Sequence, residues 1–311
     1  MNLTEVKNLS KKYNEHLAVD NISFYVKEGE IFGLLGPNGA GKSTTISMLS
    51  CLLEPTSGEA FIDGKSIIKD PMGVKKVIGL IPQEIALYPT LSAKENLYFW
   101  GKMYGLSGSL IKKRVKEILE IVGLTDRAKD RIDTYSGGMK RRINIAAGLI
   151  HRPKVIMLDE PTVGIDPQTR INILETVINL NKLGMTIIYT SHYMEEVEML
   201  CNRIAIMDEG KIIATGTKNE LRLLVGGKDT IRMDVKNIHP KIVESLEMID
   251  DVDKIKIKED QIEILSDYGR RVLSSIISKL NELDVKINSV KVQEPDLESV
   301  FIHLTGKSLR E

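Results

Sequence analysis

The segment GPNGAGKST at Gly36–Thr44 constrains this chain more than any other. It follows an uninterrupted apolar run, Ile31–Leu35, and opens a helical stretch, TTISMLSCLL, so strand, loop and helix come in the order that the pattern G-x-x-x-x-G-K-[ST] requires. A run that short and apolar reads as a strand buried on both faces, which belongs in a mostly parallel sheet covered by helices. The loop residues Gly36, Pro37, Asn38, Gly39, Ala40, Gly41, Lys42, Ser43 and Thr44 curl so that backbone N–H groups turn inward, and the helix behind them adds the positive end of its dipole. Lys42 then reaches the outer phosphates of a nucleotide, and Ser43 offers its hydroxyl to Mg²⁺. Kinases, GTPases and motors share such a loop, so by itself it implies phosphate binding and leaves the reaction open.

A second apolar run, in KVIMLDEP at Lys154–Pro161, ends on Asp159 and Glu160. Ligands of open α/β sheets bind beyond the carboxyl ends of the strands, where these two side chains fall. Asp159 suits a Mg²⁺ site opposite Ser43, and Glu160, pointing elsewhere, suits polarising the water that attacks a γ-phosphate. An acidic pair after an apolar strand is also a common solvent-exposed strand end, and it is the loop upstream that favours the chemical reading.

Alternation of short apolar runs with amphipathic helical stretches from Leu3 to Gly216 predicts an α/β body. A helical subdomain, about 88–150, interrupts it. There Ser92 and Glu95 form the pattern of a capping box, and Val115, Ile118, Leu119 and Val122 make one stripe that stops at Gly123. Trp100, the single tryptophan, falls in this insertion and suits core packing. After Gly226–Gly227 the pattern becomes short alternating strands at Ile231–Val235, Val252–Ile257, Ile262–Leu265 and Val285–Val292, with helices at about Pro240–Met248 and Arg270–Leu283. The order βαββαβ predicts a small α+β domain of ferredoxin-like type, closed by a helix at Asp296–Leu304. The expected domains are therefore 1–222 and 223–311.

The 311 residues suit about two domains. With 43 basic residues against 43 acidic ones, no strong field recruits nucleic acid. Cys51 and Cys201 stand far apart in no metal-ligand spacing, as buried free thiols of a reducing compartment would. The opening MNLTEVKNLSKKYNEH has no apolar core of a secretory signal, and no apolar stretch approaches the roughly 18 residues of a membrane span, so the expectation is a soluble, cytoplasmic protein.

Between the loop and the acidic strand lies TYSGGMKRRINIAAGLIHRP, where Ser136 is placed to cap a helix and Gly137 and Gly138 let a phosphate approach the backbone. Alone this is an ordinary capped helix. The order of features is what distinguishes it: phosphate loop, Gln83 in LIPQE, Ser136-Gly137-Gly138, MLDEP, Gly164-Ile165-Asp166, and His192 in YTSH. This series resembles the ATP-binding cassette ATPases over roughly residues 3–220.

The resemblance implies ATP hydrolysis with ATP and Mg²⁺ as cofactors. It implies that Tyr13 stacks on adenine, that Gln83 meets Mg²⁺ and the attacking water, that His192 bonds the γ-phosphate, and that Asp166 connects two nucleotide sites across a dimer. It also implies that Ser136, Gly137 and Gly138 contact ATP held by a second subunit, either another copy of the chain or a paralogous ATPase. Glu160, His192 and Gln83 would be catalytic, and Ser43, Gln83 and Asp159 would hold the metal. Two departures are mild: the signature reads YSGGM where the family commonly has LSGGQ, and the aspartate loop reads VGID.

The tail EPDLESVFIHLTGK at Glu294–Lys307 resembles the branch of drug and sodium exporters whose channel is a separate polypeptide. It implies an ATPase lying peripherally on the inner face of the membrane, powering an integral-membrane permease by ATP-driven dimer closure and hydrolysis-driven reopening. Ile85, Leu87 or Tyr88 would receive the permease. The alternatives are an importer cassette with a regulatory carboxyl-terminal domain, or a soluble cassette ATPase outside transport. A phosphate-loop kinase would lack both the signature and the switch histidine.

Overall fold

The computed structural model describes residues 1–224, 228–238, 241–258, 260–266, 269–293 and 296–306. The chain divides into two compact units, Met1–Gly216 and the residues from Thr217 onward. The expected boundary at 222/223 fell one helix later. Thr217 opens the capped helix Lys218–Leu223, which packs with Leu297–Thr305 and so belongs to the second unit. Gly226–Gly227, where the sequence pattern changes, lies outside the described residues.

The first unit contains a six-stranded sheet in the order Lys211–Thr217, Arg203–Asp208, Ile31–Leu35, Thr186–Ser191, Val155–Asp159, Ile78–Ile81. From Arg203–Asp208 onward every neighbouring pair is parallel. Ile31–Leu35, Val155–Asp159 and Thr186–Ser191 are buried at every residue, as continuous apolar runs in a doubly covered sheet should be. A feature not anticipated is a second, antiparallel sheet of His16–Lys27, Asn2–Tyr13, Ser57–Ile62 and Lys65–Ser66. Its long strands alternate buried and exposed residues only in part, chiefly over Asn21–Lys27, and lay Val6, Leu9 and Phe24 on the same core as Phe32, Leu34, Met157 and Ile188.

The helical insertion comprises Ala93–Met103, Gly108–Ile121 and Gly137–Leu149. Ser92 and Glu95 make the expected capping box, and Val115, Ile118, Leu119 and Val122 are buried together before Gly123 turns the chain at φ 65°. Trp100 is only half-buried, in the wall of an apolar groove. Cys201 is buried and Cys51 half-buried, and among the described residues neither forms a disulfide.

The second unit runs strand Asp229–Lys236, helix Ile242–Glu247, strands Val252–Lys258 and Gln261–Ser266, helix Gly269–Glu282, strand Lys286–Gln293. The four strands form an antiparallel sheet in which Asp229–Lys236 lies between Gln261–Ser266 and Lys286–Gln293, with Val252–Lys258 outermost. Ile231, Met233, Ile262 and Ile264 pack against Val272, Ile276 and Leu280 of the longer helix. The last helix, Leu297–Thr305, is capped by Asp296 and ends at Gly306 with φ 71°. It buries Leu297, Val300 and Phe301, whereas Leu304 is 36% exposed. Glu294, Pro295 and Lys307 of the tail lie outside the described residues.

Candidate functional site

The phosphate loop leaves the carboxyl end of Ile31–Leu35 under close constraint. Gly36 donates its N–H to the Ser191 carbonyl at 3.3 Å. A Cβ on Gly36 would fall on the Met207 carbonyl oxygen, so only glycine lets the loop lie this close to the neighbouring strand. Gly36→Ala should therefore destabilise the chain by about 1–3 kcal/mol, the range for overpacking a well-packed site, read as a lowered Tm. An unchanged Tm would mean that the close approach is not needed. Gly41, at φ 99°, turns the chain into the helix Lys42–Leu49.

Lys42 is 4% exposed. Its ammonium donates to the carbonyls of Gly36 and Pro37 at 2.8 Å each and lies 3.0 Å from Oε1 of Glu160. The Ser43 hydroxyl donates to Asp159 Oδ1 at 3.0 Å, and the Thr190 hydroxyl donates to the same oxygen at 2.7 Å. Thr190 in turn accepts the backbone N–H of Glu160 at 2.9 Å. Asp159 and Thr190 are register partners on adjacent parallel strands, so strand pairing itself delivers this contact. Glu160 has a left-handed backbone, φ 44°, which is strained for a residue with a side chain and redirects its carboxyl from that of Asp159. Nδ1 of His192 lies 3.2 Å from Oε2 of Glu160.

A cavity of about 510 Å³ opens over the loop, lined by Asn38, Gly39, Gly41, Lys42, Ser43 and Thr44 together with Tyr13, His16, Ala18, Gln83 and Glu160. Tyr13 is 45% exposed, which leaves ring surface for stacking, and the Lys11 ammonium stands 5.4 Å from its centroid. Gly36, Pro37, Ala40 and Asp159 support the loop without lining the cavity, and His192 reaches it only through Glu160.

Ser136, Gly137, Gly138 and Asp166 form a separate cluster. Ser136 caps the helix Gly137–Leu149 by accepting the N–H of Met139, and Asp166 caps Pro167–Lys182 by accepting the N–H of Thr169. That bond from Thr169 holds the Asp166 carboxyl below the usual range. A Cβ on Gly138 would run into the Thr169 side chain, so the first turns of the two helices abut. Ser136 and Gly137 are exposed, and none of the four residues lines the cavity of their own chain.

Sequence reasoning missed Thr190, Arg141 and Asn144. Arg141 donates to the carbonyls of Pro82 and Gln83 at 2.9 and 2.6 Å, and Asn144 accepts the N–H of Ala86 at 3.1 Å. The helix that begins at Ser136 thus grips the segment of Gln83. A threonine closing the run TIIYT, after Ile187, Ile188 and Tyr189, was a readable signal for a buried polar contact; Arg141, within the basic run KRR, had none.

A loop of this geometry at a parallel strand end, with a hydroxyl paired to one carboxyl and a cation to a second, defines a phosphate-loop nucleoside triphosphatase. The match to known proteins narrows the class. Residues 19–163 match the ABC transporter family. The linearmycin resistance ATP-binding protein LnrL of Bacillus subtilis (strain 168) is 51% identical over 311 residues, covering 99% of this chain and 100% of that protein. The doxorubicin resistance ATP-binding protein DrrA of Mycobacterium tuberculosis is 37% identical over 293 residues, covering 93% and 88%. Among solved structures, an ATP-binding subunit of an ABC transporter superposes with TM-score 0.65 at 31% identity over 72% of this chain and 93% of that one. An ATP-binding cassette solved as a dimer in a post-hydrolysis state with ADP and Pi superposes with TM-score 0.62 at 29% identity, covering 69% and 98%. The chain belongs to the ATP-binding cassette transporter family as an ATP-binding, ATP-hydrolysing subunit.

Proposed function

We propose that this chain drives an exporter whose membrane channel is a separate polypeptide, as a peripheral subunit on the cytoplasmic face. The observation that carries the reading is the full-length match, small second unit included, to proteins named for antibiotic resistance, together with Nod factor export ATP-binding proteins at 35% identity. Among the described residues no helix is long and apolar enough to cross a membrane. Cells lacking the chain should become more sensitive to antibiotics such as linearmycin or doxorubicin and should accumulate them. Reduced accumulation in such cells would instead point to import.

ATP sits in the cavity with its phosphates on the loop, adenine against Tyr13, and Glu160 activating water. Mg²⁺ characteristically takes one or two protein oxygens and completes its shell with substrate phosphates and water. The Ser43 hydroxyl and Asp159 carboxyl, 3.0 Å apart at the loop, fit that requirement, and Gln83 lines the same cavity as Ser43. Bound there, Mg²⁺ would neutralise phosphate charge, while His192, through its contact with Glu160, orients the base or meets the γ-phosphate.

Two copies, or this chain and a paralogue, close head to tail so that Ser136–Gly138 of one complete the cavity of the other. The exposure of Ser136 and Gly137 away from their own cavity supports this. Ser136→Arg should leave nucleotide affinity unchanged and abolish ATP-dependent dimerisation on size exclusion. An ATP-dependent dimer that persists in this variant would exclude the arrangement.

The permease docks in the apolar groove of about 640 Å³ walled by Leu52, Met72, Leu80, Trp100, Met103 and Tyr104, to which exposed Tyr88 is connected through Phe99, whose ring meets those of Tyr88 and Trp100 edge-on. Within the second unit, Asp229–Gln293 form a ferredoxin-like βαββαβ fold, a reading supported by the sheet order and by the two helices interleaved with the strands.

A further inference from the structure

We propose that Glu196 is a positioning residue for hydrolysis, tying the loops of Glu160 and His192 together through one buried carboxyl group; this rests on the reading of Glu160 as the water-activating residue. Glu196 lies in the helix Met194–Leu200 and is 2% exposed. Glutamate is almost never buried so completely unless it is paired. Its Oε1 accepts the Thr162 hydroxyl at 2.7 Å, and its Oε2 accepts the hydroxyls of Tyr189 at 2.8 Å and Ser191 at 3.0 Å. Burial, and then Glu196 itself, pushes the Tyr189 phenol well above its ordinary range, so Tyr189 stays a donor.

The three donors come from the two places that matter to the reaction. Thr162 follows Glu160 and Pro161 in the chain, and Ser191 immediately precedes His192. Ser191 Oγ also accepts the N–H of Tyr193 at 2.9 Å, so His192 is held on both sides. Arg170 adds a third element, with its Nε 3.5 Å from Glu196 Oε1 and its guanidinium 4.5 Å from the Tyr193 ring centroid. Packing alone does not call for such a group, since apolar side chains of similar volume stabilise a core at least as well as a buried charged network. The strained backbone of Glu160 does call for it. A left-handed non-glycine residue persists where its surroundings over-determine it. The Thr190 hydroxyl fixes its N–H, and the Thr162–Glu196 bond fixes the chain two residues beyond.

The test is steady-state ATP hydrolysis by the full chain. Glu196→Ala should lower kcat about 10- to 100-fold, as a misplacement near 1 Å does, with the KM for ATP little changed because Glu196 does not line the cavity. Glu196→Gln, whose amide can serve hydroxyls that turn to accept, should keep most of the activity. In a Glu160→Gln background the Glu196→Ala loss should vanish, since residues acting as a unit are non-additive. If Glu196→Ala does not fold, Thr162→Val and Ser191→Ala each remove one bond and should show the same split between kcat and KM. An unchanged kcat, or the same fractional loss with and without Glu160, would overturn the proposal. A Glu160→Gln chain as active as the parent would instead overturn the reading of Glu160, a distinguishable result.

Discussion

Glu160→Gln should bind ATP as well as the parent chain and hydrolyse it about 10²-fold or more slowly, the usual effect of removing a positioned general base. Glutamine keeps the volume and can still accept from Lys42, which also retains its bonds to the carbonyls of Gly36 and Pro37. What it loses is the capacity to take a proton from water. The Thr190 bond to the backbone N–H is independent of the side chain, so the left-handed turn is retained. ATP should therefore accumulate in the bound state, which single-turnover measurement with radiolabelled ATP would read directly. Hydrolysis at the parent rate would remove Glu160 from the mechanism.

Lys42→Ala should weaken nucleotide binding by about 10²-fold or more, since hydrogen bonds to charged groups contribute about 1.5–3 kcal/mol each and the ammonium is placed to make several with phosphates. The structure adds a consequence that the motif alone does not carry. Lys42 and Glu160 form an ion pair with side chains 3% and 7% exposed, and removing one member of a buried pair costs about 3–5 kcal/mol because the other charge is left uncompensated. The Lys42→Ala chain should therefore also melt at lower temperature without nucleotide, and adding Glu160→Gln should recover part of that loss. If both single variants and the double variant melt alike, the pair contributes nothing to the fold.

The phosphate loop, the acidic strand end and the signature helix were legible because each lies in a continuous stretch whose chemistry depends on its own spacing. Ile31–Leu35 and Val155–Asp159 were legible for a related reason: a strand buried on both faces has no polar positions, and both lie in the parallel sheet. The antiparallel sheet was harder to read. Its long strands contain several register shifts, between Val6 and Leu9 for example, and each shift breaks the two-residue alternation by which a strand is recognised.

Glu196 marks the other limit. Within YMEEVEML it is one of three glutamates on a short helix, and nothing in their spacing separates the 2% exposed one from its neighbours. Only the packing of that helix against Thr162, Tyr189 and Ser191 does so. Arg141 is the same case: a basic residue in KRR becomes a clamp on Gln83 because its helix lies beside that segment.

By itself the sequence determined that this chain binds nucleotide phosphates, belongs with the cassette ATPases, and presents Lys42, Ser43, Asp159 and Glu160 at strand ends, since these depend on local spacing. The tertiary structure decided which of these groups touch: Glu160 with Lys42 and His192, Asp159 with Ser43 and Thr190, and Ser136–Gly138 with the helix that Asp166 caps rather than with their own cavity. Contacts between residues more than a hundred positions apart follow from strand order and register, which arise only when the whole core closes.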